Sequence, residues 1–87
     1  MSNNALIINP RDNVAVAVVE IKAGSEVTGL SEPLQAVTDV PRNHKVALTE
    51  IKAGDAVIKY GETIGRADKD VRAGEWVHTH NLKAEGS

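Results

Sequence analysis

The sequence predicts an all-β domain, a compact barrel or clip of bent hairpins with little or no helix. Three observations carry that expectation. Apolar residues alternate at period two through Asn13–Ile21 and His44–Ile51, the spacing of a pleated strand. No window of about 11 residues carries an apolar stripe at helical spacing. The phrase Glu20-Ile21-Lys22-Ala23-Gly24 returns as Glu50-Ile51-Lys52-Ala53-Gly54 and, altered, as Asp70-Val71-Arg72-Ala73-Gly74. Each copy ends on a glycine, which supplies the left-handed backbone that a tight corner often demands. The chain is therefore expected to turn one kind of corner three times. The intervals are 30 and then 20 residues, unlike the constant period of a solenoid.

Taken in order, Ala5–Ile8 is a short apolar strand stopped by the turn signal Asn9-Pro10. Asn13–Ile21 follows, with Val14, Val16 and Val18 on one face and Ala15, Ala17 and Val19 on the other, a nearly unbroken apolar run that implies burial on both faces. Between Val27 and Val40 the pattern weakens, and Leu34, Ala36 and Val37 fit either a short strand or one helical turn. Val40-Pro41 opens a turn through Arg42 and Asn43 into the strand His44–Ile51. Ala56–Tyr60 and Thr63–Ala67 read as a hairpin around Gly61-Glu62. Trp76–Asn81 is the last extended run.

The 87 residues make one domain, 1–87, with an ordered core over about residues 5–82 and a tail at 83–87. A chain this short buries only roughly 60–65% of its unfolded surface, too little for a deep enclosed active site. Without cysteine there is no disulfide or thiolate site, which fits a reducing, cytoplasmic setting. No apolar run approaches about 18 residues and no basic-then-apolar leader is present, so neither membrane insertion nor secretion is expected. Nucleic-acid binding is not expected either. The net charge is −2, ten Lys and Arg are interspersed with twelve acids, and Tyr60 and Trp76 are the only aromatics.

The third corner leads into His78-Thr79-His80-Asn81, the densest run of ligand-type side chains. In an extended segment, His78 and His80 project to one side together with Trp76. Two imidazoles so placed can bind a transition metal or hydrogen-bond a polyoxygenated ligand, with the Asn81 amide beside them; equally, they can be a solvated terminal strand. His44-Lys45 opens the middle strand, where a histidine can act as acid or base and a lysine can pair with a carboxylate, or both can be a polar strand entrance. Asp12-Asn13 precedes the first strong strand, either as an Asx turn or as ligand contacts. Glycine-rich phosphate loops and nucleophile elbows are absent.

Four blocks occur in order: Asp12-Asn13-Val14-Ala15-Val16-Ala17, His44-Lys45-Val46-Ala47-Leu48, Val57-Ile58-Lys59-Tyr60-Gly61-Glu62-Thr63-Ile64-Gly65, and Gly74-Glu75-Trp76-Val77-His78-Thr79-His80-Asn81. Together they resemble the small N-terminal domain of the altronate and galactarate dehydratase family, an SAF domain of β-clip fold. The resemblance covers about Ile7 to Leu82. In some members this domain is a separate polypeptide, the small subunit of altronate dehydratase or the alpha subunit of sulfolactate sulfo-lyase. The resemblance implies a lyase that eliminates water from sugar acids such as altronate, or sulfite from sulfolactate. A divalent metal, Fe(2+) or Mn(2+), would be held mainly by a large catalytic domain or subunit that is the partner of this chain. On that reading His44, His78 and His80 are catalytic, His78 and His80 also touch the metal, and Lys45, Asn81, Asp12 and Asn13 bind the substrate. The chain alone is expected to be inactive. The alternatives are a stand-alone sugar-acid-binding module and a purely structural cap on a larger enzyme.

Overall fold

A computed structural model describes residues 3–84. Seven strands follow one another: β1 Ala5–Leu6, β2 Val14–Ala17, β3 Lys45–Ala47, β4 Ala56–Lys59, β5 Glu62–Ala67, β6 Trp76–Val77 and β7 Leu82–Ala84. They form two antiparallel sheets, ordered β1-β2-β3-β6 and β4-β5-β7. Among the described residues there is no helix, and so none long and apolar enough to cross a membrane. The architecture is the small all-β clip that the sequence predicts.

Burial of β2 on both faces holds. Ala15 and Ala17 join one core with Ile21, Val27, Val40 and Val46, while Val14 joins a second with Ile51, Val57, Val71 and Val77. The four-stranded sheet therefore lies between two apolar clusters. Each fully buried valine or isoleucine in them contributes on the order of 1.5–3 kcal/mol relative to exposure.

The repeated phrases do fold as corners. Ser25, Asp55 and Glu75 each donate their N–H to the carbonyl three residues back, on Lys22, Lys52 and Arg72, at 2.9–3.0 Å. The glycine before each has φ of +89°, +90° or +87°, the third position of a type II turn. The turn expected through Arg42 and Asn43 is a fourth corner of the same kind, Val40-Pro41-Arg42-Asn43-His44, a likeness to the other three that the sequence did not reveal. Here the N–H of His44 meets the carbonyl of Pro41 at 3.1 Å, and Asn43 takes the glycine's place at φ +70°. Asparagine is among the few side chains that tolerate this region.

With four corners the spacing becomes regular. Ile51 and Val71 follow Ile21 and Val40 by 30 and 31 residues, and each pair forms a two-way bridge, Ile21 with Val40 and Ile51 with Val71. Two acids brace these pairs in the same way: Asp39 Oδ1 accepts from the N–H of Ala23 at 2.8 Å and Asp70 Oδ1 from Ala53 at 2.9 Å. The domain is a duplicated unit, with β3 shared between the copies.

Several boundaries differ from expectation. The corners shorten β2 and β3, because chain entering a bend leaves its ladder. The hairpin turns at Tyr60-Gly61, one residue early, with both at positive φ, the geometry of a type I′ turn. Residues 28–35 form neither strand nor helix, apart from a bridge between Glu26 and Gln35. The terminal strand β7 pairs with β5 and runs through Lys83 and Ala84, so the segment expected as a tail begins inside a sheet. Residues 85–87 lie outside the described residues.

Candidate functional site

The fourth corner delivers His44 to the start of β3, and the β3–β6 register of Lys45 with Val77 and Val46 with Trp76 brings His44 beside His78. Their ring centroids are 4.6 Å apart. Trp76 is the hub. Its Nε1–H donates to His44 Nδ1 at 3.1 Å, its ring stacks almost parallel to His78 at 5.6 Å and 8°, and His80 tilts against it at 4.8 Å. Contacts of this kind add about 0.5–1.5 kcal/mol each beyond area burial. The indole also packs against the first core, and its backbone N–H donates to Thr38 Oγ1 at 2.9 Å.

His78 and His80 do converge, although not for the reason the sequence offered. The extended run stops at Val77, and residues 78–81 turn. Asn81, wholly buried at 0% exposure, closes the turn. Its Oδ1 accepts from the N–H of His78 and its Nδ2 donates to the carbonyl of Trp76, both at 2.9 Å. Its own N–H returns to the His78 carbonyl at 3.0 Å. The turn, not strand alternation, lays His80 back on the indole.

Asp12 and Asn13 stand elsewhere. Asp12, 8% exposed, accepts from the N–H of Gly61 at 2.8 Å and of Asn9 at 3.1 Å. The Asn13 side chain bonds both the carbonyl of Ala56 and the N–H of Ile58. Together they fasten the β4–β5 hairpin to the first sheet. The hydrogen bonds of Asp12, Asn13 and Asn81 are thus structural ones.

Lys45 is half-buried on β3. Burial, and then the neighbouring Lys59 on β4, lower its pKa from the ordinary lysine value. His78 is likewise lowered, first by loss of hydration and then by His44, Lys45 and His80. Lys59 had no place in the sequence reading of the site. Its ammonium lies 4.9 Å from the centre of the Tyr60 ring. Among the described residues neither Lys45 nor Lys59 makes an ion pair. The carboxylates work at the corners instead, where Lys22 meets Glu20 at 3.3 Å and Lys52 meets Glu50 at 3.1 Å. The imidazoles thus gather on Trp76, and the ammonium of Lys45, on the Val77 side of the sheet, is still close enough for its charge to act on His78.

No three His, Cys, Asp or Glu side chains converge as a metal site among the described residues. His78 and His80 meet on one indole without a third donor, and Nδ1 of His44 is occupied by the indole N–H. The described residues of this chain do not by themselves fit the Fe(2+) or Mn(2+) ion that the family resemblance implies.

All-β architecture, duplicated corners and a histidine-rich edge define a small β-clip module. Residues 3–85 match the altronate/galactarate dehydratase SAF domain, and the chain belongs to that family. It is 46% identical over 76 residues to an altronate dehydratase of Escherichia coli (strain K12) and 38% identical over 76 residues to one of Bacillus subtilis (strain 168). Each match covers 87% of this chain and 15% of the relative, so the chain spans about 15% of the length of these enzymes. It is also 38% identical over 92 aligned positions to the (2R)-sulfolactate sulfo-lyase subunit alpha of Chromohalobacter salexigens, covering 98% of both chains.

Proposed function

We propose that this domain is the small component of a lyase that removes water from a sugar acid, and that it holds the substrate's acidic end at an edge closed by a larger catalytic component. The observation that carries this reading is the cluster of His44, His78 and His80 around Trp76, with the ammonium of Lys45 near enough for its charge to act on His78. The ammonium of Lys45, half-buried, without an ion pair among the described residues and lowered in pKa, is what a carboxylate or sulfonate ligand would satisfy.

Elimination beside a carboxylate breaks the C–H bond next to it, sends that proton to a base and expels the neighbouring hydroxyl, which leaves as water. Negative charge builds on the carboxylate oxygens as the proton departs. Lys45 stabilises that charge where it develops, in a setting partly removed from water. His78, whose pKa is lowered, is neutral at neutral pH and free to accept a proton. A divalent metal supplied by the larger component would add Lewis acidity.

A sulfo-lyase reading has its own support, since the relative matched end to end is the alpha subunit of an enzyme named for sulfolactate. Both readings place an acid on the same patch. The test mixes the purified chain with a dehydratase-type large component and measures turnover of altronate, galactarate and sulfolactate. Activity is expected only in the mixture. Absence of a complex, or full activity without this chain, overturns the reading, and the preferred substrate decides between the two branches.

A further inference from the structure

The contact between Trp76 and His44 is directional. An indole N–H can only donate. Nδ1 of His44, at 3.1 Å, is therefore the acceptor, and the neutral ring carries its proton on Nε2. Among the described residues nothing takes that Nε2–H. No side-chain polar atom in a buried or half-buried described residue is both enclosed and unpartnered, so Nε2 opens to solvent. The indole is itself fixed, by Thr38 Oγ1 on the backbone N–H of Trp76 and by Asn81 Nδ2 on its carbonyl, each at 2.9 Å.

We propose that Trp76 is a positioning residue for His44: it holds the imidazole in the Nε2–H tautomer, so that His44 presents a fixed hydrogen-bond donor, not a base, to an oxygen of an acidic ligand. A fixed donor suits an oxyanion better than a group that must itself give up a proton. The ligand half of this inference rests on the function proposed above; the tautomer does not.

Long-range proton–nitrogen NMR spectra of the labelled chain at about pH 8, where histidines are neutral, report the tautomer of each ring. His44 is expected to show Nε2–H with an unprotonated Nδ1. Trp76→Phe is expected to give a mixture of tautomers. Replacing the indole with its sulfur isostere, benzothiophene, removes the N–H while keeping the ring, and guards against misfolding of the Phe variant. An Nδ1–H signal in the native chain, or a pattern indifferent to loss of the indole N–H, overturns the proposal. In the reconstituted enzyme His44→Gln, whose amide can donate near the Nε2 position, is expected to keep kcat/KM within about tenfold while His44→Ala loses about 100-fold. A Gln variant as inactive as Ala, or an Ala variant as active as the native chain, refutes the donor role even where the spectra confirm the tautomer. Failure of this chain to form any complex refutes the functional reading alone.

Discussion

Replacing Asn81 with Ala should be the most damaging single polar substitution in the domain. The amide is fully enclosed and bonds two backbone groups, the N–H of His78 and the carbonyl of Trp76, both at 2.9 Å. Alanine cannot reach either. Leaving a buried partner unsatisfied costs about 1–3 kcal/mol each, so the sum for two is roughly 2–6 kcal/mol. For a chain of 87 residues total stability is about 4–13 kcal/mol, so the loss is a large share of it. At roughly 4–8 °C per kcal/mol, the melting temperature should fall by about 10 °C or more. Chemical denaturation followed by fluorescence measures this directly, because Trp76 is the sole tryptophan and sits on the turn that Asn81 closes. Asn81→Asp keeps the acceptor for His78 but sets a carboxylate oxygen against the Trp76 carbonyl. At neutral pH it should be at least as harmful, recovering relative to the native chain as the carboxyl gains a proton. An alanine variant within about 0.5 kcal/mol of the native midpoint, with unaltered emission, would refute the reasoning.

Three further outcomes are expected. Gly74→Ala should cost much more than Gly54→Ala: both have φ near +90°, but the added Cβ strikes the Gln35 carbonyl at Gly74 and meets nothing within 4 Å at Gly54, and unfolding midpoints compare the two. Tyr60→Asn should stabilise the chain by a few tenths to about 1 kcal/mol in the same assay, since Tyr60 holds φ +58° at 58% exposure in a turn that favours Asn-Gly. His78 should titrate by NMR below the ordinary 6.5, and Lys45→Met, which removes one positive neighbour, should move it upward. The unfolded chain then takes up the proton first. The stability linked to His78 is present above its unfolded value and is lost as pH falls through its lower folded one.

The fold was legible because its two signals are local. Strand alternation in Val14–Ala17 and the Ala-Gly corners need no knowledge of distant chain. The turn at Val40-Pro41 was legible as a turn but not as a fourth copy of the corner, since Pro41-Arg42-Asn43 shares only its backbone path with Lys22-Ala23-Gly24. Asparagine at a left-handed position was the one available sign. At the site, His44, Lys45, His78 and His80 were named from residue type and order, and their closeness depends on a β3–β6 pairing that spans 32 residues between Val77 and Lys45. Lys59 was missed for the same reason: it reaches Lys45 only through packing of the second sheet against the first. Asp12, Asn13 and Asn81 drew attention as polar groups, but their polarity serves buried backbone that no sequence pattern displays.

The duplication explains why the imidazoles gather where they do. Val16-Ala17 and Val46-Ala47 begin the two copies, and Val77-His78 stands 31 residues after the second, in the place of a third. In the first two, the alanine is completely buried and its N–H is taken by the carbonyl of the residue that follows a corner: Ala17 by His44 at 2.8 Å, Ala47 by Glu75 at 2.9 Å. Among the described residues no further corner serves the third. The Asn81 side chain supplies the acceptor for His78 at 2.9 Å, and a half-exposed ring stands where the first two have a buried methyl. His44 reaches it because the residue after a corner is free to vary once the corner's backbone path is kept: Ser25, His44, Asp55 and Glu75 occupy that place in turn. Exchanging His44 for Ser should therefore leave the corner intact, costing stability only through the lost indole bond and two ring contacts, about 1.5–4 kcal/mol in all. A loss beyond about 4 kcal/mol, measured by denaturant unfolding, would show that the corner itself depends on the histidine and that the repeat is not the independent scaffold argued for.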